Sequence, residues 1–100
     1  MALEMLVGLQ VVDDTAYQAY REAMTPLLQQ YGGGFCHDFK VAEVLISSTP
    51  DPINRVFTIY FADKEAMEAF FANEEYLTIR QRYFEPSVAH TTILATYERG

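Results

Sequence analysis

His37 and Arg55 are the side chains best suited to proton and anion chemistry. An imidazole titrates near neutrality and can take a proton from a substrate. A guanidinium can grip a carboxylate through two parallel N–H groups. Tyr60 and Thr58, two residues apart, offer hydroxyls that could orient a bound molecule, and Tyr17 and His90 are further candidates for its wall. Combined, these residues describe a cofactor-free site for an acidic or enolisable substrate. His37 would be the base, Arg55 the anion clamp and Tyr60 an orienting donor. Each also has a plainer reading. His37 falls on a predicted strand face with Phe35 and Phe39, where a packed histidine bonds to backbone, and His90 reads equally as a surface residue. Arg55 can pair with one of fourteen acidic residues, and Tyr17 lies on the apolar stripe of a helix.

Other chemistries are set aside by spacing. His37 and Asp38 are strand neighbours and point to opposite faces, so they form no dyad. Two separate histidines without a helical H-E-x-x-H pattern predict no metal site. Cys36 is the only cysteine, which rules out an internal disulfide or a CxxC pair. Gly32, Gly33 and Gly34 follow a helix and precede a strand, the reverse of a phosphate loop, and no Lys-Ser or Lys-Thr follows them. No nucleophile elbow or dinucleotide fingerprint occurs. No cofactor is expected, and haem held by His37 is a third reading of that residue.

The elements that must position these groups follow from periodicity. Leu3, Met5, Val7, Leu9 and Val11 alternate as one buried strand face. Tyr17, Tyr20, Met24, Leu27, Leu28 and Tyr31 form a helical stripe, with Gln18, Arg21, Glu22, Thr25 and Gln29 opposite. Asp14 or Thr15 is the expected N-cap. Pro26 predicts either a kink or two short helices, and Gly32 the stop. A second strand is expected over 35–45, a proline-punctuated loop over 46–54 and a third strand over 55–61. Asp63 reads as the cap of a second helix carrying Ala66, Met67, Phe70 and Phe71. Asn73 ends it and caps a third helix bearing Tyr76, Ile79, Arg80 and Tyr83. The last strand is expected over 87–97.

This order, β-α-β-β-α-(α)-β, is that of a ferredoxin-like α+β plait: a four-stranded antiparallel sheet with helices on one face. The strands are too apolar for the other face to meet water alone, which predicts sheet-to-sheet pairing in a homodimer. The 100 residues are expected to make one domain. A net charge of −7, with seven scattered Lys and Arg, argues against nucleic acid or an anionic membrane as partner. The short apolar start carries Glu4 and no basic leader, so a cytoplasmic location is expected.

Tyr17-x-x-Tyr20, Pro26-Leu27-Leu28-x-x-Tyr31-Gly32-Gly33, Asn54-Arg55-Val56-Phe57 and the segment from Phe70-Phe71 to Glu75-Tyr76 carry a resemblance across nearly the whole chain. The sequence resembles the domain-of-unknown-function family thirteen-thirty, itself similar to the dimeric α/β-barrel group. That resemblance implies two ferredoxin-like subunits packed sheet to sheet. The wider group includes cofactor-free monooxygenases, lactone isomerases and haem-handling proteins. It therefore implies a small organic ligand and, as one reading, a cofactor-independent enzyme of isomerase or monooxygenase type. The alternative is a non-catalytic ligand-sensing or assembly module.

Overall fold

The computed structural model describes residues 2–99. Strand β1 (Ala2–Val11) leads into α1 (Asp14–Gln30), β2 (Gly34–Lys40) and β3 (Arg55–Phe61). Helices α2 (Lys64–Ala72) and α3 (Glu74–Ile79) follow, then a π-helical turn (Arg80–Phe84) and β4 (Val88–Arg99). The strands form one antiparallel sheet in the order β2-β3-β1-β4, the ferredoxin-like arrangement. Among the described residues, no helix is long and apolar enough to cross a membrane.

Local chemistry fixes the helix ends. Asp13, not Asp14 or Thr15, caps α1: its carboxylate accepts from the Ala16 N–H at 3.0 Å. Asp13 is still extended, and Asp14 instead lends its charge to the first turn. The helix runs unbroken through Pro26. Its end is a Schellman turn, in which the Gly33 N–H reaches the Leu28 carbonyl and the Gly32 N–H that of Gln29, each at 3.0 Å. Gly32 supplies the left-handed φ of 72° that this turn requires. Asp63 caps α2, and Asn73 joins α2 to α3 by accepting from the Tyr76 N–H while its amide donates to the Tyr31 hydroxyl.

Strand β2 is shorter than its sequence suggests, and Val41 to Asn54 form one long loop. The reason is Asn54. Its side chain both accepts from the Val11 N–H and donates to the Val11 carbonyl, while its backbone bonds Leu9 and Val41. An amide side chain thus replaces the next ladder step beside β1, and the chain leaves the sheet there.

The core fills the space between the sheet and the helices. Met5, Val7, Leu9 and Val11 of β1 and Phe57, Ile59 and Phe61 of β3 bury one sheet face against Tyr17, Tyr20, Met24, Leu27 and Leu28 of α1 and against Phe70 and Tyr76. Among the described residues, the opposite sheet face carries no helix.

Candidate functional site

The covered face does not close completely. A cavity of about 370 Å³ lies between the sheet and the helices, floored by Met5, Val7 and Ile59 and roofed by Tyr20 and Met24. No helix makes more than slight contact with β4. The exposed lining residues Leu77, Arg80, Thr91 and Ile93 therefore mark its mouth, between α3 and the edge strand. This volume falls in the range of small-molecule pockets, with the usual mix of apolar wall and few polar groups.

Two polar features interrupt the apolar wall. The hydroxyls of Tyr20 and Tyr76 meet at 2.8 Å in a buried pair. Burial, ahead of their mutual contact, raises the pKa of Tyr20, and burial also raises that of Tyr76. Both stay protonated donors at neutral pH.

The second feature is Arg21, whose side chain is only 11 % exposed. Its guanidinium lies 4.0 Å from the Phe35 ring centroid and 4.7 Å from that of Phe57. Its Nε–H donates to the Tyr17 hydroxyl at 2.8 Å, and its two terminal nitrogens reach the Asp38 carboxylate at 3.3 Å each. Arg55 grips the same carboxylate from the other side at 2.8 and 2.7 Å. The Arg55 hydrogen bond, aided by both positive charges, holds Asp38 below the usual carboxylate range, and Asp38 in turn raises Arg55. Burial raises the pKa of Tyr17. A guanidinium has five N–H groups, so two on Arg21 remain for a ligand.

A bulge decides which residues share a face. In the pairing of β2 with β3, Phe35 faces Ile59 but His37, not Cys36, faces Thr58. Cys36 is the extra residue, so the alternation expected from sequence is reversed beyond it. Asp38 turns to the helix side with Phe35 and Phe57, whereas His37 turns to the open side with Phe39. His37 does not share a face with Phe35.

The predicted site residues therefore divide between the two sides of the sheet. Tyr17 lines the cavity, and Arg55 stands behind it, 5.0 Å from the Tyr17 ring and bound to Asp38. Arg55 forms an ion pair with Asp38, its plainer sequence reading. His37, Thr58, Tyr60 and His90 occupy the open face. There Thr58 accepts from the His37 backbone N–H at 3.0 Å, and the His37 ring stacks on Phe39. Tyr60 lies under the Arg99 guanidinium, and His90 approaches Asp51 of the long loop at 3.5 Å. Glu4 is also on this side, accepting from the Tyr97 hydroxyl, which lowers its pKa. The sheet thus separates His37 and Tyr60 from Arg55.

Sequence reading missed Arg21, Tyr20, Tyr76, Arg80 and Asp38 as site residues. Polarity puts Arg21 opposite the apolar stripe of α1, yet it follows Tyr17 by four residues and so stands beside it on the helix. Tyr20 and Tyr76 are indistinguishable from core until a cavity is seen next to them. The bulge that brings Asp38 inward leaves no mark in the alternation.

The comparisons agree with this architecture. A protein of unknown function from Rhodopseudomonas palustris superposes with a TM-score of 0.79 at 15% identity, over 98% of this chain and 82% of the other. A dimeric ferredoxin-like protein of unknown function from Jannaschia sp. gives 0.59 at 16%, over 99% and 100%. A putative antibiotic biosynthesis monooxygenase from Nitrosomonas europaea gives 0.59 at 18%, over 98% and 89%. At these identities the likeness is one of fold. No curated protein matches the sequence. Residues 5–97 match the model of the Domain of unknown function (DUF1330) family, and the chain belongs to that family.

Proposed function

We propose that the protein is a cytoplasmic homodimer that binds a small organic molecule in the helix-side cavity of each subunit. The observation that carries this reading is the cavity itself, mainly apolar and aromatic, with Arg21 and the Tyr20–Tyr76 hydroxyl pair on its wall. The uncovered sheet face supports the dimer. Phe39 and Tyr97 are 57% and 41% exposed there beside half-buried Leu6, Val56 and Ala95, the aromatic-rich surface that interfaces favour. In this reading His37, Thr58, Tyr60 and His90 belong to the subunit interface, and Tyr17 and Arg55 serve the cavity.

A second reading, a cofactor-independent enzyme of isomerase or monooxygenase type, is favoured by the buried hydroxyl pair. Tyr20 or Tyr76 would donate to an oxyanion of an enolisable substrate, with Arg21 stabilising the charge. Against it, the described lining residues include no carboxylate and no histidine to take a proton. Binding without turnover is therefore the leading proposal, and a ligand-sensing module is its plainest form.

Native mass spectrometry of freshly purified protein tests both parts. A dimer with additional bound mass is expected, and identifying that mass names the ligand. A bare monomer would overturn the assembly. Loss of the added mass in Leu77→Trp, which narrows the mouth, is expected if the ligand occupies this cavity.

A further inference from the structure

The cavity has a charge opposite to that of the chain. The protein carries fourteen acidic and seven Lys and Arg side chains, yet the charged residues lining the cavity are two arginines, Arg21 and Arg80. The carboxylate nearest to Arg21, Asp38, is shared with Arg55, so two guanidiniums meet one anion. Within these ion pairs two positive charges face one negative, with Asp14 acting on Arg55 from further off. Arg80 lies over the Phe84 ring, 5.4 Å from its centroid, and forms no ion pair among the described residues. The buried Tyr20–Tyr76 hydroxyl pair adds one free neutral donor to the same wall, its other O–H being spent within the pair.

Resting on the proposed ligand cavity, we propose that its ligand is a flat, monoanionic acid, with an aromatic or conjugated body against the apolar wall that includes Met24 and Phe57 and its carboxylate on a free N–H of Arg21. Three observations converge on this class. A side chain that is 11% exposed and tied to Tyr17 and Asp38 is held ready for an anion at little entropic cost. The apolar remainder of the wall disfavours a highly polar body. The volume of about 370 Å³ holds about a dozen waters, and so suits a ligand of about that many non-hydrogen atoms. Asp38 and Arg55 are positioning residues in this scheme, since they fix Arg21 and set its free charge without lining the cavity.

A matched pair of probes tests the class. Binding of 1-naphthoate and of its uncharged amide, 1-naphthamide, would be titrated by calorimetry against the full-length protein. The acid is expected to bind about 10- to 100-fold more tightly than the amide, as for a charge-assisted hydrogen bond. Arg21→Gln should remove that preference, so that acid and amide bind the variant with similar affinity. Arg55→Gln should reduce the preference by changing how Arg21 is held, whereas Arg55→Lys should partly restore it. Equal affinity of acid and amide for the wild type, or a preference that survives Arg21→Gln, overturns the anionic class but leaves the cavity standing. If neither probe binds, or if Leu77→Trp binds both as the wild type does, the cavity reading fails and this one with it.

Discussion

The two faces of the sheet carry similar residue types to different ends. On the covered face, Phe61, Phe70 and Leu28 are fully enclosed within one chain, and the polar groups that enter are tied in pairs or triads, as in Tyr20–Tyr76 and Arg21–Asp38–Arg55. On the open face Phe39 and Tyr97 stay largely accessible, and Glu4 reaches Tyr97 and Arg99 across the strands. The difference teaches that apolar content alone does not locate a binding site. The covered face holds its polar groups in fixed geometry around a void, whereas the open face offers a surface that a second copy can complete.

Phe70→Ala should separate the faces most sharply. Phe70 is fully buried against Tyr31, Phe61 and Tyr76, and its removal leaves a hole that the two helices cannot close. A loss of about 3–5 kcal/mol is expected in chemical denaturation. Because the contact is within one chain, the loss should not depend on protein concentration. A concentration-dependent loss would mean that the helices, not the open sheet face, form the subunit contact.

Leu6→Lys is the complementary change on the open face. Leu6 is half-buried and sits between Thr58 and Ala95 in the middle of the sheet. In a two-fold interface each new ammonium returns near its own copy, so like charges are brought together. The dimer dissociation constant should rise a hundredfold or more, about 3 kcal/mol, by analytical ultracentrifugation. Monomer secondary structure should be unchanged. A dimer of unaltered strength would remove the open face from the assembly.

How much of this division could be read from the residues alone depends on whether periodicity survives in the folded chain. The covered stripe of β1 and that of α1 are legible because period and burial coincide over many residues. The assignment of Thr58 and Tyr60 to the side opposite Phe57 and Ile59 is legible for the same reason, since β3 is regular. In β2 one extra residue, Cys36, reverses every side chain after it, and β4 slips twice against β1, between Leu6 and Val7 and between Gln10 and Val11. Bulges are backbone events set by neighbouring strands, so Asp38 could not be placed beside Arg21 from alternation. Val41 to Leu45 continue the apolar character of β2 in sequence, although the strand stops at Lys40. Asn54, distant in sequence, turns its side chain to Val11 of β1 where β3 begins, so β2 has no strand partner beyond Val41.

Asp38→Asn sharpens the comparison by pH. The folded-state pKa of Asp38 is depressed, so its stabilisation is present above the unfolded carboxylate range, near pH 3.9, and is lost as pH falls through the lower folded value. The side chain is about a third exposed, which screens the pair, and a loss of about 1 kcal/mol at neutral pH is expected. The acid limb of the stability profile below about pH 4 should become shallower in the variant. Glu4 is depressed in the same direction but on the open face, with its Tyr97 contact the largest cause. The groups that depress Glu4 lie in its own chain, so Glu4→Gln, like Asp38→Asn, should flatten the acid dependence of chain unfolding. An acid limb unchanged in either variant would detach that carboxylate from the stability of its face.

The smallest expected effect is that of Gly8→Ala. Gly8 lies on the open face, where an added methyl group would come within 2.9 Å of the Ile53 side-chain tip. At Gly33 the same change would meet Leu28 and also the Tyr60 carbonyl oxygen, each at 2.6 Å, and a backbone oxygen within the sheet cannot move aside. Ile53 belongs to the long loop, so it can withdraw, and alanine reduces the unfolded chain's freedom relative to glycine. These terms oppose each other, and chain stability should change by no more than about 0.5 kcal/mol. The informative readout is the dimer. If the loop end over Gly8 forms part of the subunit contact, displacing Ile53 should weaken association severalfold while the unfolding midpoint of the isolated monomer stays in place. Unchanged association would confine the interface to the strands, with Leu6, Val56 and Tyr97 at its centre and the loop outside it.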